Sequence, residues 1–277
     1  MRLDSLLFAA FGAAPSLGSN VFFALYFLAS IYIYISLIRQ ISARTSATAA
    51  DTKRFGLPEA IVAAALIFFL LLNISASVSG PSAELSARNL LANLLLTLLV
   101  VLVIVTFLQL RGFDLSSLGG FFRISFLRAL ATGIILLFLA YPLIFVSEAI
   151  AQWLFKSGSS KQNIVELFSA SPTIEQRIMI IVFAVAIAPV IEEFLFRLFL
   201  YGVIKRYFGR FLGITVNALL FAAAHTHFPS FAPLFVLGSC FTIAYEWSGS
   251  ILVAMTMHSL FNSLTLTVLA FPEIFRQ

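Results

Sequence analysis

Apolar runs of about 20 residues, the length that crosses a bilayer as a helix, recur along almost the whole chain, parted by polar stretches. Eight can be placed, at 21–38, 60–78, 90–110, 127–150, 174–208, 211–225, 231–247 and 250–271. None alternates with the period of two that a strand would show. The pattern predicts an all-α, polytopic membrane helix bundle of about eight transmembrane helices. Residues 1–173 supply about four of them and 174–277 the rest, within one integral membrane domain.

The polar stretches fill the gaps. Residues 39–55 and 156–172 read as linkers. Residues 1–14 hold an Arg, an Asp and a short apolar run; Asp4 spoils the charged start of a signal peptide, so an interfacial segment is expected. Asn73 and Ser75 form a glycosylation triplet, but inside an apolar run the match means little.

Composition strengthens the membrane reading. Of the 277 residues 61% are hydrophobic and only 10% charged, and the mean hydropathy is +1.05. A soluble fold could not cover that surface, and disorder is excluded because too much must be buried. A multi-pass protein is expected, in the plasma membrane if the source is prokaryotic, with membrane lipid as its surroundings. The net charge of +5 does not point to nucleic acid. The cations lie mostly between apolar runs, where the positive-inside rule accounts for them. Counted on alternate sides, one side carries ten (Arg39, Arg44, Lys53, Arg54, Arg111, Arg123, Arg128, Lys205, Arg206, Arg210) and the other six. That imbalance favours both termini outside. The single cysteine, Cys240, allows no intrachain disulfide and reads as a buried hydrophobe.

Candidate chemistry concentrates in the last third. An ionised side chain at mid-bilayer costs about 2.5–3.5 kcal/mol on insertion scales, so each one needs a reason. The first four spans carry almost none. The fifth carries Glu192, Glu193 and Arg197, and all three histidines follow: His225, His227 and His258. Glu193 and Arg197 stand four apart, on one helix face, and can pair. Glu192 lies about 100° round the helix, free to point elsewhere. Pro189 just before it is expected to bend the helix. His258 and Asn262 also share a face.

Elimination narrows the reaction. The three aspartates, Asp4, Asp51 and Asp114, all lie in loops of the first half, which removes an intramembrane aspartyl protease. No H-E-x-x-H or G-x-S-x-G occurs. What remains is Glu with His, a pair that activates water by general-base catalysis. Assigning Arg197 to Glu193 leaves Glu192 as base. His258 and Asn262 are placed to donate to an oxyanion. The same carboxylate and imidazoles, Glu192, His225 and His258, would also suit a divalent ion such as zinc; the preferred reading requires no cofactor. His227, beside Phe228 and Pro229, reads as a loop residue. Glu148 and Glu246 read as interfacial, and Trp153 and Trp247 as interface anchors.

Three motifs now stand in order: Glu192-Glu193-x-x-x-Arg197, Phe221-x-x-x-His225 and His258-x-x-x-Asn262. They lie 24 and 33 residues apart, over roughly 174–271. This set resembles the CPBP intramembrane proteases, the family of the type 2 CAAX prenyl endopeptidases (Rce1-like, Abi domain) and their bacterial relatives. The resemblance implies an eight-helix bundle and hydrolysis near the C-terminus of a membrane-anchored peptide or protein, prenylated CAAX sequences among them. It further implies that Glu192 and His225 activate water, that His258 and Asn262 stabilise the oxyanion, and that Glu193, Arg197 and Phe221 support the site. Two other functions use the same residues. One is a non-catalytic, bacteriocin-immunity-like or regulatory membrane protein. The other is a transporter with a Glu/His proton relay, disfavoured because no inverted repeat is visible.

Overall fold

The structure, a computed structural model, describes residues 17–44, 54–79, 87–155, 168 and 173–270. The expected interfacial segment at 1–14 lies outside them, as does most of the linkers at 39–55 and 156–172. The described chain forms α1 (Leu17–Ala43), α2 (Leu57–Ser79), α3 (Ala87–Leu110), the short α4 (Leu115–Gly119) and α5 (Phe126–Phe155). A composite helix follows: α6 (Ile174–Val182), a π turn (Phe183–Ile187), α7 (Ala188–Glu193), a second π turn (Phe194–Leu200) and α8 (Tyr201–Ala224). A 3₁₀ turn (Phe228–Ser230), α9 (Phe231–Ser248) and α10 (Ile251–Ala270) complete it. No strand occurs among the described residues.

Seven described helical stretches are long and apolar enough to cross a membrane, one of them running from Ile174 to Ala224. That stretch is broken at Gly209, whose φ of 82° and ψ of 172° are not helical. The break stands where the sequence separates its fifth and sixth runs, so the polytopic all-α bundle is as expected. Helices extend further than the apolar runs: α1 reaches Ala43, into the stretch read as linker. Large apolar residues of α3 such as Leu95, Leu99 and Leu102 face outward, as lipid contact requires.

Polar ties show which helix ends meet. Arg111 Nε lies 2.9 Å from Glu59 Oε1, joining the end of α3 to the start of α2. Trp247 Nε1 donates to Gln40 Oε1 (2.9 Å), and Arg210 Nη1 to the Ile41 carbonyl (3.0 Å). The Tyr245 hydroxyl donates to the Leu118 carbonyl (2.9 Å). The cation-bearing segments therefore gather at one end of the bundle. Glu246 is more than the interfacial residue expected. Its carboxylate, nearly buried, takes Lys205 Nζ at 2.6 Å and Arg210 Nε at 3.1 Å, closing the turn around Gly209.

Membrane helices must satisfy their own backbone, since lipid offers no hydrogen bonds. Pro142 inside α5 lacks the N–H that would meet the Phe138 carbonyl four residues earlier. The Tyr26 hydroxyl of α1 donates to that carbonyl instead. About two turns further along α1, Tyr34 donates to the Leu136 carbonyl at 2.8 Å. These bonds clamp α1 onto α5.

The turns on either side of α4 are equally specified, the first of them by its N-cap Asp114. The Asp114 carboxylate accepts from the Ser117 hydroxyl (2.6 Å), the Ser116 hydroxyl (2.7 Å) and the Ser116 N–H (2.9 Å). Those donors hold its carboxyl down at about 2, from an ordinary 3.8. A depressed carboxyl stabilises the fold fully above its unfolded value and loses that contribution as pH falls through its folded value. Stability should therefore drop between about pH 4 and 2, and Asp114→Asn should flatten that part of an unfolding-versus-pH curve. At the end of α4, Gly120 has φ of 62°, and a Cβ there would stand 1.8 Å from the Gly249 carbonyl oxygen. Gly120→Ala should cost more than about 2 kcal/mol, since backbone must move and the φ is strained; chemical denaturation in micelles measures it.

Candidate active site

The composite helix brings the carboxylates inward. Glu192 and Glu193 are the last residues of α7, and Arg197 lies in the π turn that follows. The i,i+4 pair forms as the spacing predicts: Arg197 Nη1 lies 3.0 Å from Glu193 Oε1, and both side chains are fully buried. Phe221 of α8 and Phe241 of α9 surround the guanidinium, whose Cζ is 4.3 Å and 5.2 Å from their ring centroids. Arg197 Nη2 also donates to the Gly238 carbonyl at 3.3 Å. Gly238 is required there: a Cβ would lie 2.9 Å from Phe221 and 3.5 Å from Arg197 Nη2. Sequence reasoning missed Gly238 and Phe241, which carry no chemistry of their own and match no motif.

The histidines close on the same place. His258 of α10 is buried, and its Nδ1 lies 2.8 Å from Glu193 Oε1. Glu193 is ion-paired with Arg197 and so accepts, which makes Nδ1 the protonated nitrogen. His225 ends α8, where the last carbonyls lack helical partners. Its Nδ1 lies 2.8 Å from one of them, that of Phe221. A carbonyl only accepts, so here too Nδ1 carries the proton. Both rings then present Nε2 to one atom. Glu192 Oε2 lies 3.8 Å from His225 Nε2 and 3.8 Å from His258 Nε2. That oxygen is buried and has no hydrogen-bond partner. The Phe221 ring packs edge-on against both imidazoles, at 4.7 and 5.6 Å. The residue after His225, Thr226, has φ of 50°, a strained conformation for a β-branched side chain.

Asn262 stands apart. Its Nδ2 donates to the Ala184 carbonyl in the first π turn at 2.8 Å. One amide hydrogen remains for other work. His227 is outside the group, with Nδ1 2.7 Å from the Ser230 hydroxyl across the 3₁₀ turn. The depth follows from geometry. His258 is nine residues beyond Gly249 at the cation-rich end. At 1.5 Å per residue that is about 13 Å, near the middle of a core about 30 Å thick.

A metal was the open alternative for Glu192, His225 and His258. Zinc bonded at about 2.0–2.2 Å to N and O ligands would hold tetrahedral ligand atoms about 3.4 Å apart. Both carboxylate–imidazole separations are 3.8 Å. No group of three or more His, Cys, Asp or Glu among the described residues is placed to hold an ion. As they stand these donors are spaced wider than tetrahedral zinc ligands, and no step of the mechanism is routed through a metal.

Residues 174–264 match the family model described as type II CAAX prenyl endopeptidase Rce1-like. The membrane-embedded CAAX protease MroQ of Staphylococcus aureus (strain USA300) is 32% identical to this chain over 96 residues, 32% of the chain and 39% of that protein. The match thus spans about two fifths of the curated relative's length. No solved structure matches. The resemblance carried by the three motifs therefore holds over the segment that contains all of their residues.

Removing one partner of a buried ion pair costs about 3–5 kcal/mol, because the other charge is left uncompensated. Arg197→Ala should lose that much in a denaturation series. Lys205→Ala, at a partly exposed pair, should lose about 1 kcal/mol or less.

Proposed function

We propose that this chain, whose last third carries the motif set of the type II CAAX prenyl endopeptidases, is an intramembrane endopeptidase. It would hydrolyse a peptide bond near the C-terminus of a membrane-anchored substrate, of which a prenylated CAAX sequence is the leading example. The observation that carries the reading is Glu192 Oε2, buried, unpartnered and equidistant from two imidazole nitrogens. A gap of 3.8 Å exceeds a direct hydrogen bond and lies within reach of one bridging water.

The chemistry follows from the proton positions. Water between Glu192 and His225 meets two acceptors, the carboxylate oxygen and the Nε2 lone pair. Glu192 takes a proton as the water oxygen bonds to the substrate carbonyl carbon. The carbonyl π electrons move to oxygen, giving a tetrahedral oxyanion. His258 has spent Nδ1–H on Glu193, so it offers Nε2–H only as the imidazolium, whose charge Glu193 balances. In that form it donates to the oxyanion, with the spare amide hydrogen of Asn262 as second donor. Collapse re-forms the carbonyl and breaks the C–N bond, and the proton held by Glu192 passes to the leaving amine. Arg197, Phe221 and Glu193 hold His258 in place and do not touch substrate.

Cleavage of a farnesylated CAAX peptide by purified protein tests this, with wild type beside Glu192→Gln. Loss of a general base costs about 10²–10⁴ in rate, so the variant should fall at least 100-fold while keeping its helical circular dichroism. Chelator should leave the wild-type rate unchanged; inhibition reversed by added zinc would overturn the metal-free route. A Glu192→Gln protein as active as wild type would overturn the role of Glu192, and an inert wild type would remove prenyl-CAAX peptides as the substrate.

A further inference from the structure

Asn262 is bonded to an atom that an ordinary helix would not leave open. In the first π turn the Ala188 N–H donates to the Phe183 carbonyl, five residues back. In α-helical register it would have served Ala184. The next donor in π register, for Ala184, is residue 189, and Pro189 has no N–H. The Ala184 carbonyl is thus left without a backbone donor by two features together, the π register and the proline. It lies in a buried residue where no lipid group could serve it. Asn262 Nδ2 supplies the missing donor at 2.8 Å.

We infer that Pro189 is a positioning residue of the site: it reserves the Ala184 carbonyl for Asn262, and that clasp sets α10 against the helix bearing Glu192 and Glu193. Two ties then join these helices. One is His258 to Glu193, the other Asn262 to Ala184, one turn further along α10. A single tie lets α10 pivot about its contact. Two ties a turn apart fix its rotation, and with it the direction of His258 Nε2 and of the remaining Asn262 amide hydrogen. The same device is seen at Pro142, where the carbonyl it opens is taken by the Tyr26 hydroxyl of another helix.

The consequence for catalysis rests on the proposed function; the clasp itself does not. Four proteins in detergent micelles separate the two: wild type, Pro189→Ala, Asn262→Ala and the double variant. Thermal unfolding needs no substrate. Asn262→Ala should lower Tm by several degrees in the wild-type background and by less than half as much beside Pro189→Ala, where residue 189 gains an N–H for the carbonyl. Equal losses in both backgrounds would overturn the clasp. Cleavage of the farnesylated peptide reads the positioning role. Pro189→Ala should lower kcat about 10-fold with KM within two-fold, while Tm is unchanged or higher, since alanine suits a helix interior better than proline. Wild-type kcat with a raised Tm would show that the proline is only structural, and would overturn the inference. If wild type cleaves nothing, the enzymatic reading fails on its own and the thermal cycle still decides the clasp.

Discussion

An arginine and a glutamate, both without exposed surface, sit as an ion pair in the middle of an apolar bundle. Removing such charges from water costs several kcal/mol per ion even after relaxation. The surrounding residues can be understood as what makes that tolerable. Three aromatic rings lie within 6 Å of the Arg197 guanidinium, offering their negative faces. Gly238 yields its side-chain volume so that a carbonyl can reach the same group. His258 brings a second donor to Glu193. Because Glu193 is spent on these partners, Glu192 is not. The buried pair therefore sorts two adjacent carboxylates into different environments: Glu193 is engaged at Oε1 by Arg197 and His258, and Glu192 faces the two imidazoles.

The second constraint is the backbone. A carboxylate at the end of a straight helix would keep a fixed bearing on its neighbours. Here π turns precede and follow α7, and each adds a residue to its turn. They aim Glu192 and Glu193 differently from what a continuous α-helix would give, and the first opens a carbonyl that α10 then uses. The kink expected from Pro189 is expressed as register change and side-chain capping. This keeps the Ala184 carbonyl served in a medium that supplies no donors.

Much of this was legible in the sequence because membrane patterning is coarse and motif residues are costly. Apolar runs located the helices to within a few residues, and the gap between the fifth and sixth runs falls at the break at Gly209. Glu193 with Arg197 followed from i,i+4 spacing. The contact between His258 and Glu193 did not, since 65 residues separate them and only the packing of α10 on α7 brings them together. Asn262 was read as an oxyanion donor from its place beside His258; its bond to Ala184 depends on a π register that no local propensity signals. Glu246 looked interfacial because it ends a helix, but its partners lie 36 and 41 residues earlier. Gly238 and Phe241 were silent for a simpler reason: their role is volume, which a single sequence does not mark.

The proton positions around Glu192 are what the account depends on, and they can be observed directly. The chain has three histidines, so ¹⁵N-histidine labelling in micelles gives a spectrum simple enough to assign with single-site variants. Recorded over a range of pH, each ring in its neutral form reports its tautomer through its nitrogen shifts. His225 and His258 should both carry the proton on Nδ1, leaving Nε2 as a lone pair directed at Glu192. Protonated Nε2 on both rings would contradict the arrangement from which the mechanism is derived.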